Sequence, residues 1–141
     1  MPEESTTPDL IELTRQWIET DSYDEWAAFA EQWCAPDVVL DAAQAGLGPY
    51  EGLAAVLAFL KEYWLTWEDH HHYAEEVLDL GHGVLYSVIR EHGRMKNSDA
   101  YVESRNAWVF LWVERRVLLA TSYKDPEKAR AAAERLAEER A

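Results

Sequence analysis

Apolar residues recur at three- and four-residue spacing through Leu10, Leu13, Trp17 and Ile18, which predicts an amphipathic helix. Thr7-Pro8-Asp9 opens it, with Pro at the first helical position, and Asp21-Ser22 breaks it. Ser22-Tyr23-Asp24-Glu25 has the form of a capping box for a second helix, whose apolar face is Trp26, Phe29, Ala30 and Trp33. Pro36 closes that helix, and the apolar run from Asp37 to Asp41 reads as a short strand. A small Gly-containing loop spans 42–49, and Tyr50-Glu51-Gly52 leads into a third helix carrying Leu53, Val56, Leu57, Leu60, Trp64 and Trp67. After Trp67 the apolar period changes from that of helices to that of strands. Strands are predicted over 69–79, 83–93, 99–113 and 116–124, with turns at 81–83, 93–98 and 114–115. Connections this short imply antiparallel pairing. Asp125-Pro126-Glu127 caps an Ala-rich last helix whose Glu127, Lys128, Arg130, Glu134 and Arg135 suit a salt-bridged, solvated element.

Three amphipathic helices need one sheet face to cover, so the order predicts an α+β fold with a pocket between helices and sheet. Residues 1–6 read as a loose tail, and no repeat or linker divides the chain, so 1–141 is expected to be a single domain. Its 141 residues are 48% hydrophobic, enough for a real core and against disorder. Cys34 is the only cysteine, which rules out an intrachain disulfide and fits a reducing, cytoplasmic setting. The net charge is −14, with Arg15 and Lys61 the only basic residues among the first 80. Repulsion from phosphates argues against nucleic acid or an anionic membrane as partner. Met1-Pro2-Glu3-Glu4 is acidic where a signal peptide is basic, and no apolar stretch is long enough to span a bilayer.

The local wording adds a resemblance. Trp33 to Asp41, Tyr50-Glu51-Gly52 before the third helix, Trp67-Glu68-Asp69, and Tyr123-Lys124-Asp125 occur in the order and spacing of SnoaL-like members of the NTF2-like superfamily. That superfamily includes ketosteroid isomerases, limonene epoxide hydrolases and polyketide cyclases, and the resemblance covers about residues 9–137. It implies a conical α+β fold, a curved and mostly antiparallel sheet wrapped on three helices, with a C-terminal helix added. It also implies a deep apolar cavity and a homodimer through the outer sheet face. Because this scaffold carries enzymes and plain binding proteins alike, it leaves function open.

Alternation along strands then assigns faces. By similarity to the family, Trp108, Phe110 and Trp112 fall on the outer face as a dimer surface, and Glu103 and Arg105 fall in the cavity. The same register points Leu85, Ser87, Ile89 and Glu91 inward on the second long strand, and Leu118, Ala120 and Ser122 inward on the last. Asp41 takes a position similar to that of the ketosteroid isomerase base. Shielded by Trp17 and Trp33, it would be a candidate general base. Its other reading is a strand-end carboxylate bonded to the following loop. Trp17 stands where the isomerase has its oxyanion Tyr, and Ala107 where it has a protonated Asp. Leu85 and Ser122 stand where the epoxide hydrolases have catalytic Asp residues.

His70-His71-His72 lacks a spaced metal motif, although His70 and His72 would share a strand face, so no metal or other cofactor is expected. Cys34 at a helix end suits an inert thiol. Two readings follow. In the first, a small hydrophobic or amphipathic ligand binds in the cavity, with Asp41 as base and Trp17, Trp33, Ser87, Glu103, Arg105 and Ser122 lining the site, in an isomerase, cyclase or hydrolase type of enzyme. In the second, the cavity is largely filled and the protein is a non-catalytic binding or dimerisation module.

Overall fold

The computed structural model describes residues 9–42 and 46–141. The expected tail over 1–6, Pro8 and part of the 42–49 loop lie outside the described residues. The elements are α1 (Leu10–Ile18), α2 (Tyr23–Trp33), β1 (Cys34–Ala42), β2 (Leu47–Glu51), α3 (Leu53–Leu65), β3 (Trp67–Asp79), β4 (Val84–Met95), β5 (Tyr101–Val113), β6 (Arg116–Tyr123) and α4 (Pro126–Arg140). Asp9 is the N-cap of α1, its carboxylate accepting from the Glu12 amide, so the helix begins one residue beyond it. Ser22 caps α2 through the Glu25 amide, while the Glu25 carboxylate reaches back to the Asp21 amide, one residue beyond the N-cap that a standard capping box would use.

The six strands form one sheet in the order β2-β1-β6-β5-β4-β3, antiparallel except for the β1–β6 pair. Three of these strands depart from the sequence reading. β3 begins at Trp67, which the spacing gives to the third helix. β1 starts at Cys34 rather than after Pro36; Pro36 sits where the β1–β6 register is irregular, a place that tolerates a missing N–H. β2 pairs with β1 at the sheet edge, and its Gly48 and Pro49 disguise it as loop.

Over its central strands the sheet is covered on both faces. On one side Leu13, Trp17, Ile18, Ala30, Val56 and Leu60 from α1, α2 and α3 pack on Leu40, Leu85, Phe110 and Trp112. On the other, Ala129, Ala133 and Ala137 of α4, spaced by four, pack on Val84, Tyr86, Val88, Ala107, Val109 and Leu111. The last helix is therefore a cover for the sheet's outer face and solvated only on its far side.

That cover corrects the face assignment of β5. Leu85, Ser87, Ile89 and Glu91 lie directly opposite Phe110, Trp108, Asn106 and Ser104. Directly opposed residues share a face, so Asn106, Trp108, Phe110 and Trp112 point toward the three helices. Glu103, Arg105, Ala107, Val109 and Leu111 point the other way. The aromatic strand face expected as an outer dimer surface is an inner wall, and the outer positions beside it are covered by α4. Among the described residues no helix is long and apolar enough to cross a membrane.

Candidate functional site

Between α1, α2, α3 and the concave face of the sheet lies a cavity of about 200 Å³. Its walls are mostly aromatic: Trp17, Trp26, Phe59, Trp64, Trp108 and Phe110, with Leu40, Ala42, Leu60, Ile89 and Ala120 between them. Trp17 is the centre of this wall, within 4.5 Å of Trp26 and 5.4 Å of Phe29 between ring centroids, and 5.7 Å from Phe110.

Polar groups gather at one end. Tyr63 of α3, His72 of β3 and Glu91 of β4 line the cavity there, with His70 buried behind them. His72 and Glu91 are direct cross-strand partners, and His70 is two residues back on the same face. Gly93, opposite His70, lets the strands come close: a Cβ there would lie 2.0 Å from the Asp69 carbonyl oxygen and 2.9 Å from the His70 Cα. The Tyr63 hydroxyl donates to Glu91 Oε2 at 2.7 Å. His70 Nε2 is 3.2 Å from the same oxygen and His72 Nε2 is 3.8 Å from it. Ser104 Oγ donates to Glu91 Oε1 at 3.0 Å. The Trp67 ring stacks flat on His70 with centroids 4.2 Å apart, while Trp64 meets both imidazoles edge-on.

This packing sets the charge states. Burial works against the Glu91 carboxylate, but the hydrogen bonds from His70 and Tyr63 and the nearby His72 outweigh it and hold its pKa down to about 2. Burial, and then the neighbouring His70, pull His72 down to about 4, against the attraction of Glu91. Burial and the Glu91 charge push the Tyr63 phenol well above its ordinary value. At neutral pH the cluster is one carboxylate held by a phenol and a neutral imidazole, His72, facing the cavity. Among the described residues, three buried polar atoms of wall side chains have no protein partner: Trp17 Nε1, His72 Nδ1 and Asn106 Oδ1.

The sequence-expected residues divide. Trp17 and Ser122 line the cavity. Ser87 is fully buried on the cavity side of the sheet, but its hydroxyl is bonded to the Trp108 carbonyl and it does not reach the space. Trp33 packs on Phe29 and Trp112 behind the wall. Glu103 and Arg105 are exposed on the outer face, where Arg105 grips Glu75 at 2.7 and 3.1 Å and Arg90 joins it at 2.7 Å. These two arginines, Arg105 first, hold the Glu75 carboxyl at about 2. Asp41 lies between Leu40 and Ala42, which both line the cavity, so its own side chain takes the opposite face. There it raises the pKa of the Tyr123 phenol, behind the larger effect of burial. Ala107, likewise, is in the outer core beneath α4, and the inward residue beside it is Asn106. The residues that sequence reasoning left out of the site are Tyr63, Trp64, His70, His72, Glu91 and Asn106. The inward set on β4 already contained Glu91, and a cross-strand pairing with His72 would have found the cluster.

The arrangement of three helices on a curved six-stranded sheet has clear counterparts. The protein from Jannaschia sp. CCS1 named as a SnoaL-like polyketide cyclase superposes with a TM-score of 0.71 at 13% identity, covering 92% of this chain and 98% of its own. This chain has the SnoaL/NTF2-like fold. Another counterpart is a Catenulispora acidiphila protein with a ketosteroid isomerase-like fold, solved with trimethylamine (TM-score 0.67, 12% identity, 91% and 94% covered). A limonene epoxide hydrolase-like enzyme of M. tuberculosis gives 0.65 at 12% identity, with 89% of each chain covered. No protein-family model matches the sequence, and no curated protein sequence matches it. The NTF2-like likeness therefore concerns the fold, and the chemistry is read from this chain's own residues.

Proposed function

We propose that the protein binds one small, mainly aromatic or alicyclic molecule in the cavity, with the ligand's polar group at the Tyr63–His72–Glu91 end. The observation that carries this is the contrast within one space: aromatic walls, and a single end where the polar side chains of Tyr63, His72 and Glu91 gather. The cavity, about 200 Å³, exceeds the roughly 150 Å³ that accepts a benzene and falls short of the roughly 300 Å³ where drug-sized sites begin. One substituted ring, or a compact bicycle, fits that range. A filled, purely structural interior is disfavoured by the same volume. Counterparts named for cyclase and epoxide hydrolase activity are in keeping with small organic substrates on this scaffold.

Where the ligand is turned over, proton transfer falls to His72 and Glu91 rather than Asp41. His72 faces the space as a neutral imidazole able to take a proton, and Glu91 stabilises the imidazolium that results. Tryptophan fluorescence tests the binding reading directly, because Trp17, Trp26, Trp64 and Trp108 all line the cavity. Titration with a panel of monocyclic and bicyclic phenols, ketones and carboxylic acids should give saturable quenching with some members. Ser122→Phe, which fills the cavity from its half-buried edge, should abolish it. Absence of saturation across the panel, or quenching unchanged in Ser122→Phe, would sink the proposal.

A further inference from the structure

We infer that His70, His72 and Glu91 form a binding site for a first-row divalent metal ion such as Zn²⁺, Co²⁺ or Fe²⁺. This rests on the cavity reading, since the ion would sit at the cavity's polar end, and it replaces proton transfer by His72 with polarisation of the bound molecule by the ion. The ligating atoms of the three residues lie within 4.8 Å of one another. They come from two neighbouring strands: His70 and His72 by alternation along β3, and Glu91 directly opposite His72 on β4. That is a constellation of two imidazoles and one carboxylate, which suits borderline cations rather than Mg²⁺ or Ca²⁺.

The distances need small changes only. With metal–ligand bonds of about 2.0–2.1 Å, tetrahedral ligands stand roughly 3.3 Å apart. His70 Nε2 and His72 Nε2 are 3.2 and 3.8 Å from Glu91 Oε2. The widest separation in the set, 4.8 Å at most, closes by rotation of His72, the imidazole at the cavity surface. Three supports hold the set in place. Trp67 stacked on His70 fixes one ring, Ser104 fixes the second carboxylate oxygen, and the Tyr63 hydroxyl is within reach of the first. Three protein ligands leave the remaining coordination positions directed at the aromatic cavity. A ligand bearing a carboxylate, phenolate or enolate oxygen would complete the shell there, and the ion would polarise it.

Both Nδ1 atoms are buried without a protein partner. Metal-bound histidines ordinarily donate that N–H, and losing such a partner weakens binding by about 10- to 100-fold. The site is therefore expected to bind more weakly than a fully supported structural zinc site.

The test uses the full chain without an affinity tag, stripped with EDTA and dialysed into chelator-free buffer. Titration with Co²⁺ should produce visible d–d bands saturating at one ion per chain, and Zn²⁺ should displace them. His72→Ala and Glu91→Gln, checked for folding by circular dichroism, should each weaken Co²⁺ at least about tenfold. His71→Ala, an exposed histidine on the opposite strand face, should leave it unchanged. No saturable Co²⁺ spectrum in the wild-type protein would overturn the inference, whatever the variants do. Equal Co²⁺ affinity in His72→Ala or Glu91→Gln would overturn it too. Fluorescence titration of the EDTA-treated protein with the organic panel separates the two readings. Ligand binding without metal binding removes the ion and keeps the cavity, and metal binding without ligand binding does the reverse.

Discussion

Gly93 supports the polar cluster by its lack of a side chain, and this can be measured. It lies in ordinary strand backbone, so its role is space rather than torsion. In Gly93→Ala the new Cβ would meet the Asp69 carbonyl oxygen at 2.0 Å, where ordinary contact begins at 3.4 Å. All three atoms it meets, this oxygen, the Asp69 carbonyl carbon and the His70 Cα, are backbone, so no side-chain rotation relieves the clash. β3 and β4 must part by roughly the difference, which breaks about two ladder hydrogen bonds worth ~1 kcal/mol each. Overpacking adds a further ~1–3 kcal/mol, giving about 3–5 kcal/mol in all. For a chain of 141 residues that corresponds to a fall in Tm of ~10–15 °C. Gly81 is the control. It has φ +89° and nothing within 4 Å of an added Cβ, so Gly81→Ala meets only the torsional cost, about 1–2 kcal/mol. Urea unfolding followed by tryptophan fluorescence and circular dichroism measures both variants. A Gly93→Ala cost no larger than that of Gly81→Ala would refute the claim that close strand approach, rather than backbone conformation, selects glycine at position 93.

Asp41→Asn should leave organic-ligand binding unchanged by fluorescence titration, because its neighbours Leu40 and Ala42 are the residues that face the cavity. Arg105→Ala should also leave binding unchanged and shift stability by less than ~1 kcal/mol in urea melts, since its ion pair with Glu75 is exposed and Arg90 still holds Glu75 at the bulge. Thr14→Val should cost about 1–3 kcal/mol, because the buried Trp112 indole N–H donates to Thr14 Oγ1 at 3.1 Å and would lose its acceptor. Burial pushes the Cys34 thiol from 9.0 up to about 12, so the unfolded chain releases that proton first as pH rises past 9. Stability should then fall by up to ~1.4 kcal/mol per pH unit between about 9 and 12, and part of that slope should vanish in Cys34→Ala.

Helical periodicity was sufficient to place α1, α2 and α3, because α1 and α2 set an apolar stripe against a polar one and the large apolar residues of α3 recur at helical spacing. The long strands were legible for a related reason: their turns carry Gly81 and Gly83, or the tight pair Glu114 and Arg115 at positive φ. The edge strand β2 was not legible, since its residues include glycine and proline and its pairing depends on β1 beside it. Facing was legible only where one side of a strand is polar. From Ala107 to Trp112 β5 is buried on nearly every residue, because α4 covers the side that the family pattern leaves open. A strand buried on both faces has no alternation to read, and an error of one residue exchanged Arg105 for Asn106 and Ala107 for Trp108. The alanines at 129, 133 and 137 were the available sign that the last helix packs on something.

The polar cluster depends on a feature that no local pattern announces. Counting back from the pair Asp79↔Leu85, an unbroken ladder would set Tyr73 opposite Glu91 and turn His70 and His72 to the outer face. The register shifts between Ala74 and Glu76, where one extra residue, Glu75, bulges from β3. Beyond that bulge His72 is opposite Glu91, and His70 follows it inward. Glu75 is itself turned outward and held by Arg90 and Arg105, so the exposed ion pairs on one face fasten the bulge that delivers the histidines to the other. Those ion pairs contribute little as isolated surface contacts, and their value here is positional. Arg105, which the sequence suggested as part of the site, thus bears on it from the far side of the sheet, through its pair with Glu75 and the register of β3.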